Sequence, residues 1–243
     1  MTTGGPAAPS PTNEAAGFPI ATLTFCALLG IAALGQLLAG AGDFHLPPSL
    51  AFVPGRLFGG AGPLSGMQLV PPPATLVTYQ FLHVGAFHLL GNLACLWIFG
   101  PHVEDALGPG RWTVLLLACG IAAALAQALP MTSSPAPLVG ASGGIAGLLG
   151  AYLYLHPRAE FRPGWRWAPG LRLPVWAVLL AWFALQVPAI IRPGLVPGAA
   201  AFGAHAGGFA CGLLLAPVLH FLALLSLDAR PVARTRTSRH SSH

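Results

Sequence analysis

The chain has 243 residues, of which 55% are hydrophobic and only 7% charged, and its mean hydropathy is +0.71. A soluble domain carries about 25% charged residues, so this much charge cannot cover a water-facing surface, and lipid is the expected solvent. The net charge is +5, with eleven arginines and no lysine; the arginines lie between and after apolar stretches, which favours a membrane surface over nucleic acid as their partner.

Residues 1–17 are mostly Pro, Ala, Gly, Thr and Ser with one acid, Glu14, a composition that predicts a disordered tail. No basic residue precedes the first apolar run, so the signature of a cleavable signal peptide is missing there. Six apolar stretches follow, at 18–41, 84–101, 112–129, 141–156, 173–191 and 201–225. A helix needs about 20 apolar residues to cross a bilayer, and irregular backbone is excluded from lipid, so the stretches are read as helices. The first and last are comfortably long. The fourth is short and glycine-rich, which suits a helix packed inside a bundle. The expected fold class is all-α: a polytopic bundle of six transmembrane helices over 18–225, followed by an Arg-rich disordered tail at 226–243.

The connecting segments are unequal. Loop 42–82 is interrupted by Pro47, Pro48, Pro54, Pro63 and Pro71-Pro72-Pro73, so it cannot span, and Leu50, Phe52, Leu57 and Phe58 make it apolar enough to lie on the membrane surface. Loop 157–172 is rich in Arg and Trp. One set of segments, namely the N-tail, 102–111, 157–172 and the C-tail, holds nine arginines; the opposite set holds Arg56 and Arg192 alone. Such an excess marks the cytoplasmic side, so both termini are expected there. The six tryptophans lie mostly near span ends, as interfacial aromatics do. Cys26, Cys95, Cys119 and Cys211 each sit inside an apolar run without metal-ligand spacing, which predicts buried thiols acting as small hydrophobes.

This topology brings three polar patches to one depth. Spans two, four and six all enter from the outer face, and their first turns carry His88 and Asn92, Ser142, and His205. Polar side chains in spans are costly, face the bundle interior and mark function by default. An imidazole can take the proton of a serine hydroxyl as it attacks a carbonyl, so Ser142 is the candidate nucleophile and His205 its general base. No acid is placed to orient His205, which predicts a dyad. His88 and Asn92 are i, i+4 and share a helix face; with the Ser142 backbone N–H they could bind an oxyanion.

A hydrolase elbow, simple helix packing and a metal site compete for the same residues. Gly140-Ala141-Ser142-Gly143-Gly144 also reads as G-x-S-x-G, the nucleophile elbow of α/β-hydrolases, but a Pro-rich loop precedes it and the only later acids, Glu160 and Asp228, fall on the cytoplasmic side. Gly143/Gly147 and Gly208/Gly212 have the spacing of close-packed helix faces, which explains the glycines but not the serine and histidine beside them. A metal held by His83, His88 and His205 lacks an inward acid or thiol, so no metal and no cofactor are expected. Gln127 and Gln186 read as interhelical glue, and Glu104 and Asp105 as caps or ion-pair partners.

Together, H-x-x-x-N at His88–Asn92, G-x-S-G at Gly140–Gly143 and A-H-x-x-G-x-x-x-G at Ala204–Gly212 resemble the rhomboid family of intramembrane serine proteases. Each motif alone is weak; three in order on spans two, four and six are specific. The resemblance covers about 80–225. It implies a six-helix bundle with a water-filled cavity open to the outer face, Ser142 as nucleophile, His205 as general base, and His88 and Asn92 supporting the oxyanion. It further implies a first loop partly in the membrane, and a fifth span that moves to admit a substrate helix. The implied partners are membrane lipid and single-pass transmembrane substrates with helix-breaking residues near the cut, in a bacterial inner membrane. Two departures stand out: Ala146 replaces the aromatic that many members carry four residues after the serine, and the Trp-Arg pair of some members' first loop is not evident. Two other function classes remain in competition, a catalytically silent relative that binds transmembrane helices and a small transporter. The first would be expected to have lost Ser142 or His205; the second would want repeats or midplane charges, which are not seen.

Overall fold

The computed structural model describes residues 17–40, 47, 49–59, 70–161, 171–186 and 201–228. The expectations of disorder in both tails therefore fall largely outside the described residues, as do Arg162, Arg166, Trp165, Trp167, Arg192 and much of loop one. In chain order the helices are α1 (Ile20–Ala39), α2 (Pro54–Phe58), α3 (Thr75–Thr78), α4 (Ala86–Leu107), α5 (Pro109–Ala128), α6 (Ser142–Leu155), α7 (Val175–Ala184) and α8 (Phe202–Asp228). A two-stranded antiparallel ribbon, β1 (Glu160–Phe161) with β2 (Leu173–Pro174), closes the segment between α6 and α7.

Four of these helices, α1, α4, α5 and α8, are long and apolar enough to cross a bilayer. The other two apolar helices are shorter: α6 has 14 residues and α7 has 10. For α6 the shortness has a physical setting. Every residue from Gly143 to Tyr152 is buried, and the helix packs mainly on α8 and α5, then on α4. A helix that is apolar all round belongs inside a bundle, shielded from lipid by its neighbours. The outer helices point large apolar side chains away from the core, among them Ile31, Leu34, Trp97, Leu214 and Phe221. In water that surface would drive aggregation; against lipid it is the matched solvent.

The core runs through Leu29 of α1, Leu96 of α4, Trp112, Leu115 and Leu116 of α5 and Leu148 of α6, all fully buried. The α4–α5 reversal is made by Gly108, whose φ of +79° is left-handed backbone, with Pro109 opening α5. Trp112 is a core residue, not an interfacial one: its indole N–H donates to the Gly100 carbonyl at 3.1 Å. At the same end of the bundle Glu104 is buried and caps α1, accepting from the backbone N–H groups of Ala21 and Thr22 at 2.8 Å each. A carboxylate there satisfies two orphan donors and meets the positive end of the helix dipole.

The described part of loop one folds back onto protein. Phe52 and Leu138 exchange backbone hydrogen bonds of 3.1 and 2.7 Å, and Gly55 N–H donates to Ser134 O at 2.9 Å. Phe52 is fully buried, packed in a small cluster with Tyr79, while Phe58 remains exposed. The expectation that this loop simply lies on the membrane surface thus fails for Phe52, which is buried against protein. The Pro-rich backbone finds its hydrogen-bond partners in the 132–140 segment, and that pairing turns Phe52 inward.

Candidate active site

Ser142 is the first residue of α6 and is set by the turn before it. Gly140 has φ +115°, a conformation disfavoured for residues with a Cβ, and a Cβ built on it would lie 2.5 Å from Cε1 of His88. The Gly140 N–H donates to Tyr79 O at 2.9 Å, and the Tyr79 hydroxyl donates to Gly120 O at 2.7 Å, so α5 anchors the turn through Tyr79. With Ser142 at the start of the helix, its first-turn N–H groups lack intrahelical partners and carry the positive end of the dipole, a setting suited to a developing oxyanion.

Close backbone packing brings His205 to the serine. A methyl group on Gly208 would collide with the Gly143 carbonyl oxygen, and one on Gly212 with that of Gly147. These are the four glycines singled out from their spacing. With no side chains between them, α6 and α8 approach closely, and His205, one turn before Gly208, reaches across. Ser142 Oγ and His205 Nε2 lie 2.9 Å apart, and both residues are half-buried. The two groups sit in a cavity of about 300 Å³ whose lining includes His88, Asn92, Cys95 and Trp182.

The pair His88 and Asn92 divides. His88 lies over Gly140 and faces the cavity. Asn92 lines the same cavity, but its Nδ2 is also 2.9 Å from Nε2 of His83. His83 is fully buried, and its backbone is gripped by Gln36 of α1, whose Nε2 donates to His83 O at 2.9 Å and whose Oε1 accepts from His83 N–H at 3.0 Å. His83 therefore serves as an anchor between α1 and Asn92. Its Nε2 faces Asn92, and that of His205 faces Ser142.

Two residues of α7 and the turn after it belong to this site and were not recognised in the sequence. The indole of Trp182 packs on the His205 ring at 5.1 Å between centroids. Ala146, where an aromatic was expected, is fully buried in α6. The ring contact to His205 therefore comes from a different helix. Gln186 Oε1 lies 2.5 Å from His205 Nδ1. The available signal was that a polar Gln and an aromatic stood i, i+4 apart in an apolar segment. Gln127 does act as the expected glue: its Oε1 accepts from the Ala204 N–H at 3.1 Å, tying α5 to the start of α8.

The rhomboid domain family matches residues 73–221. The chain belongs to the rhomboid family. Rhomboid protease GluP of Bacillus subtilis is 44% identical over 80 residues, covering 33% of this chain and 15% of that protein. RHOMBOID-like protein 4 of Arabidopsis thaliana is 34% identical over 144 residues, 59% of this chain and 33% of its own. Rhomboid protease GlpG of Klebsiella pneumoniae is 28% identical over 141 residues, 57% of this chain and 46% of its own. The chain thus spans less than half the length of each of these three rhomboid relatives. Family membership and the apolar helices make it an integral membrane protein.

Proposed function

We propose that this rhomboid chain is an intramembrane serine endopeptidase that hydrolyses peptide bonds in or near transmembrane helices through a Ser142–His205 dyad. The observation that carries the proposal is the 2.9 Å contact between Ser142 Oγ and His205 Nε2 at the start of α6. Ser142 attacks the scissile carbonyl while Nε2 accepts its proton, and the same nitrogen returns a proton to the leaving amine. Water, activated in turn by His205, hydrolyses the acyl-enzyme. The oxyanion is met by the Ser142 backbone N–H, His88 and Asn92. No step requires a metal or a cofactor.

The substrates are single-pass membrane proteins. A helix has its amides hydrogen-bonded internally, so it must unwind locally before a carbonyl can reach Ser142, and Gly or Pro near the cut lowers that cost. In this proposal α6 and the α7 region are the fourth and fifth of six spans, the membrane domain occupies 18–225, and both tails are cytoplasmic. The site then opens toward the outer face of a bacterial inner membrane.

The test is cleavage of a generic single-pass substrate in proteoliposomes by wild type and by Ser142→Ala. We expect cleavage by wild type and a loss of at least about 10³-fold in the variant. Equal cleavage by both would dismiss the dyad. No cleavage by either, over several substrates and with an intact fold, would favour a helix-binding relative without catalysis.

A further inference from the structure

His205 has two ring nitrogens, and the proposed chemistry needs a particular one of them bare. To accept the Ser142 proton, Nε2 must present a lone pair, so the ring proton must sit on Nδ1. The described lining of the cavity contains no carboxylate that could hold it there. What faces Nδ1 is the side-chain amide of Gln186, with Oε1 at 2.5 Å.

The orientation of that amide follows from its other partner. Gln186 Nε2 lies 3.3 Å from the backbone carbonyl of Trp182, one turn earlier. A carbonyl can only accept, so the amide nitrogen must face it, and the amide oxygen must face the imidazole. An amide oxygen can only accept as well, so the Nδ1 opposite it must carry the hydrogen. The chain of donors then runs one way: Gln186 N–H to Trp182 O, His205 Nδ1–H to Gln186 Oε1, Ser142 O–H to His205 Nε2. Trp182 packs against the same imidazole, with ring centroids 5.1 Å apart and ring planes tilted by 43°, so one turn of chain at the end of α7 contacts both the ring and its Nδ1.

Resting on the protease reading above, we propose that Gln186 is a positioning residue that selects the Nδ1–H tautomer of His205, a neutral counterpart of the acid in a catalytic triad. An uncharged partner suits the location. A third-member carboxylate would place a charge beside a half-buried imidazole, whereas an amide gives the same acceptor geometry without one. The other titratable groups lining the cavity, His88 and Cys95, both come from α4 and supply no negative charge in their ordinary states.

The test compares full-length wild type, Gln186→Leu and Gln186→Glu in proteoliposomes. Gln186→Leu is expected to lower kcat about 10- to 100-fold with KM unchanged, because binding survives and orientation does not. Gln186→Glu keeps an acceptor in place and should retain most of kcat. Its charge favours imidazolium, so the acid limb of the pH–rate profile should move to higher pH. If the two variants lose activity equally and the acid limb stays put, Gln186 is merely structural and the proposal fails. Nitrogen-15 spectra of histidine-labelled protein, with His205 assigned by its loss in His205→Ala, give a readout independent of turnover. Wild type should show Nδ1 protonated and Nε2 bare, and Gln186→Leu should lose that bias. A proton on Nε2 in wild type would overturn the assignment even if the enzyme is active. Absence of cleavage by wild type would instead strike the protease reading, leaving the spectra to decide the role of Gln186.

Discussion

At the scale of single residues, the site is a set of hydrogen-bond partners whose choices constrain one another. His88 and Asn92 share one helix face but are held differently, and their variants should differ accordingly. His88→Ala should reduce kcat by up to about 10²–10³-fold with little change in KM, as loss of one oxyanion donor does. Asn92→Ala should do the same and also destabilise the fold by about 1–3 kcal/mol, because it leaves buried His83 without its 2.9 Å partner. Steady-state kinetics together with thermal unfolding in detergent would separate the two effects. A change in KM alone would remove both residues from the oxyanion site. The pairing of a serine with a histidine was legible in the sequence because polar side chains are rare in apolar spans. The anchoring of Asn92 by His83 was not legible, because it depends on where the chain before α4 turns.

At the scale of elements, the site depends on the α6–α8 contact. Glycine at 212 allows a backbone approach in which any Cβ would strike the Gly147 carbonyl. Gly212→Ala should therefore cost about 1–3 kcal/mol as overpacking and force α8 away from α6. Cleavage should fall with stability, since His205 is carried on the displaced helix. Gly30→Ala in α1, where an added Cβ meets nothing within 4 Å, is the matched control and should be neutral or slightly stabilising. Equal behaviour of the two variants, measured by unfolding and by cleavage, would mean that the close approach does not hold the site together. The small-xxx-small spacing announced this contact from sequence. The α7 contribution went unannounced: Trp182 looked like an interfacial ring and Gln186 like glue, since spacing alone cannot tell which way a short helix faces.

For the whole molecule, the two ends of the bundle differ in chemistry. One end carries the Glu104 cap on α1 and Arg111, which reaches the Leu222 carbonyl and the Ser226 hydroxyl of α8. The other end carries Ser142, His205 and His88. The arginine excess predicts that the first of these ends is cytoplasmic. A reporter fused after residue 243 should accordingly be active only in the cytoplasm. A signal from the outer side would invert the topology and place the site on the other face of the membrane.

Composition and order along the chain were sufficient for a membrane-embedded helical protein, for the approximate position of its apolar stretches, and for the family, through three short motifs in fixed order. These are local properties: hydropathy and motif spacing can be read along the chain without knowing how it packs. Packing decided the rest. It turned Phe52 inward through a backbone bridge to Leu138, and supplied the ring against His205 from Trp182 with Ala146 left buried in α6. It also set the Gln186 amide against Nδ1, at 2.5 Å. Such contacts join residues far apart in the chain, and their geometry follows from helix positions and side-chain directions that no linear pattern encodes.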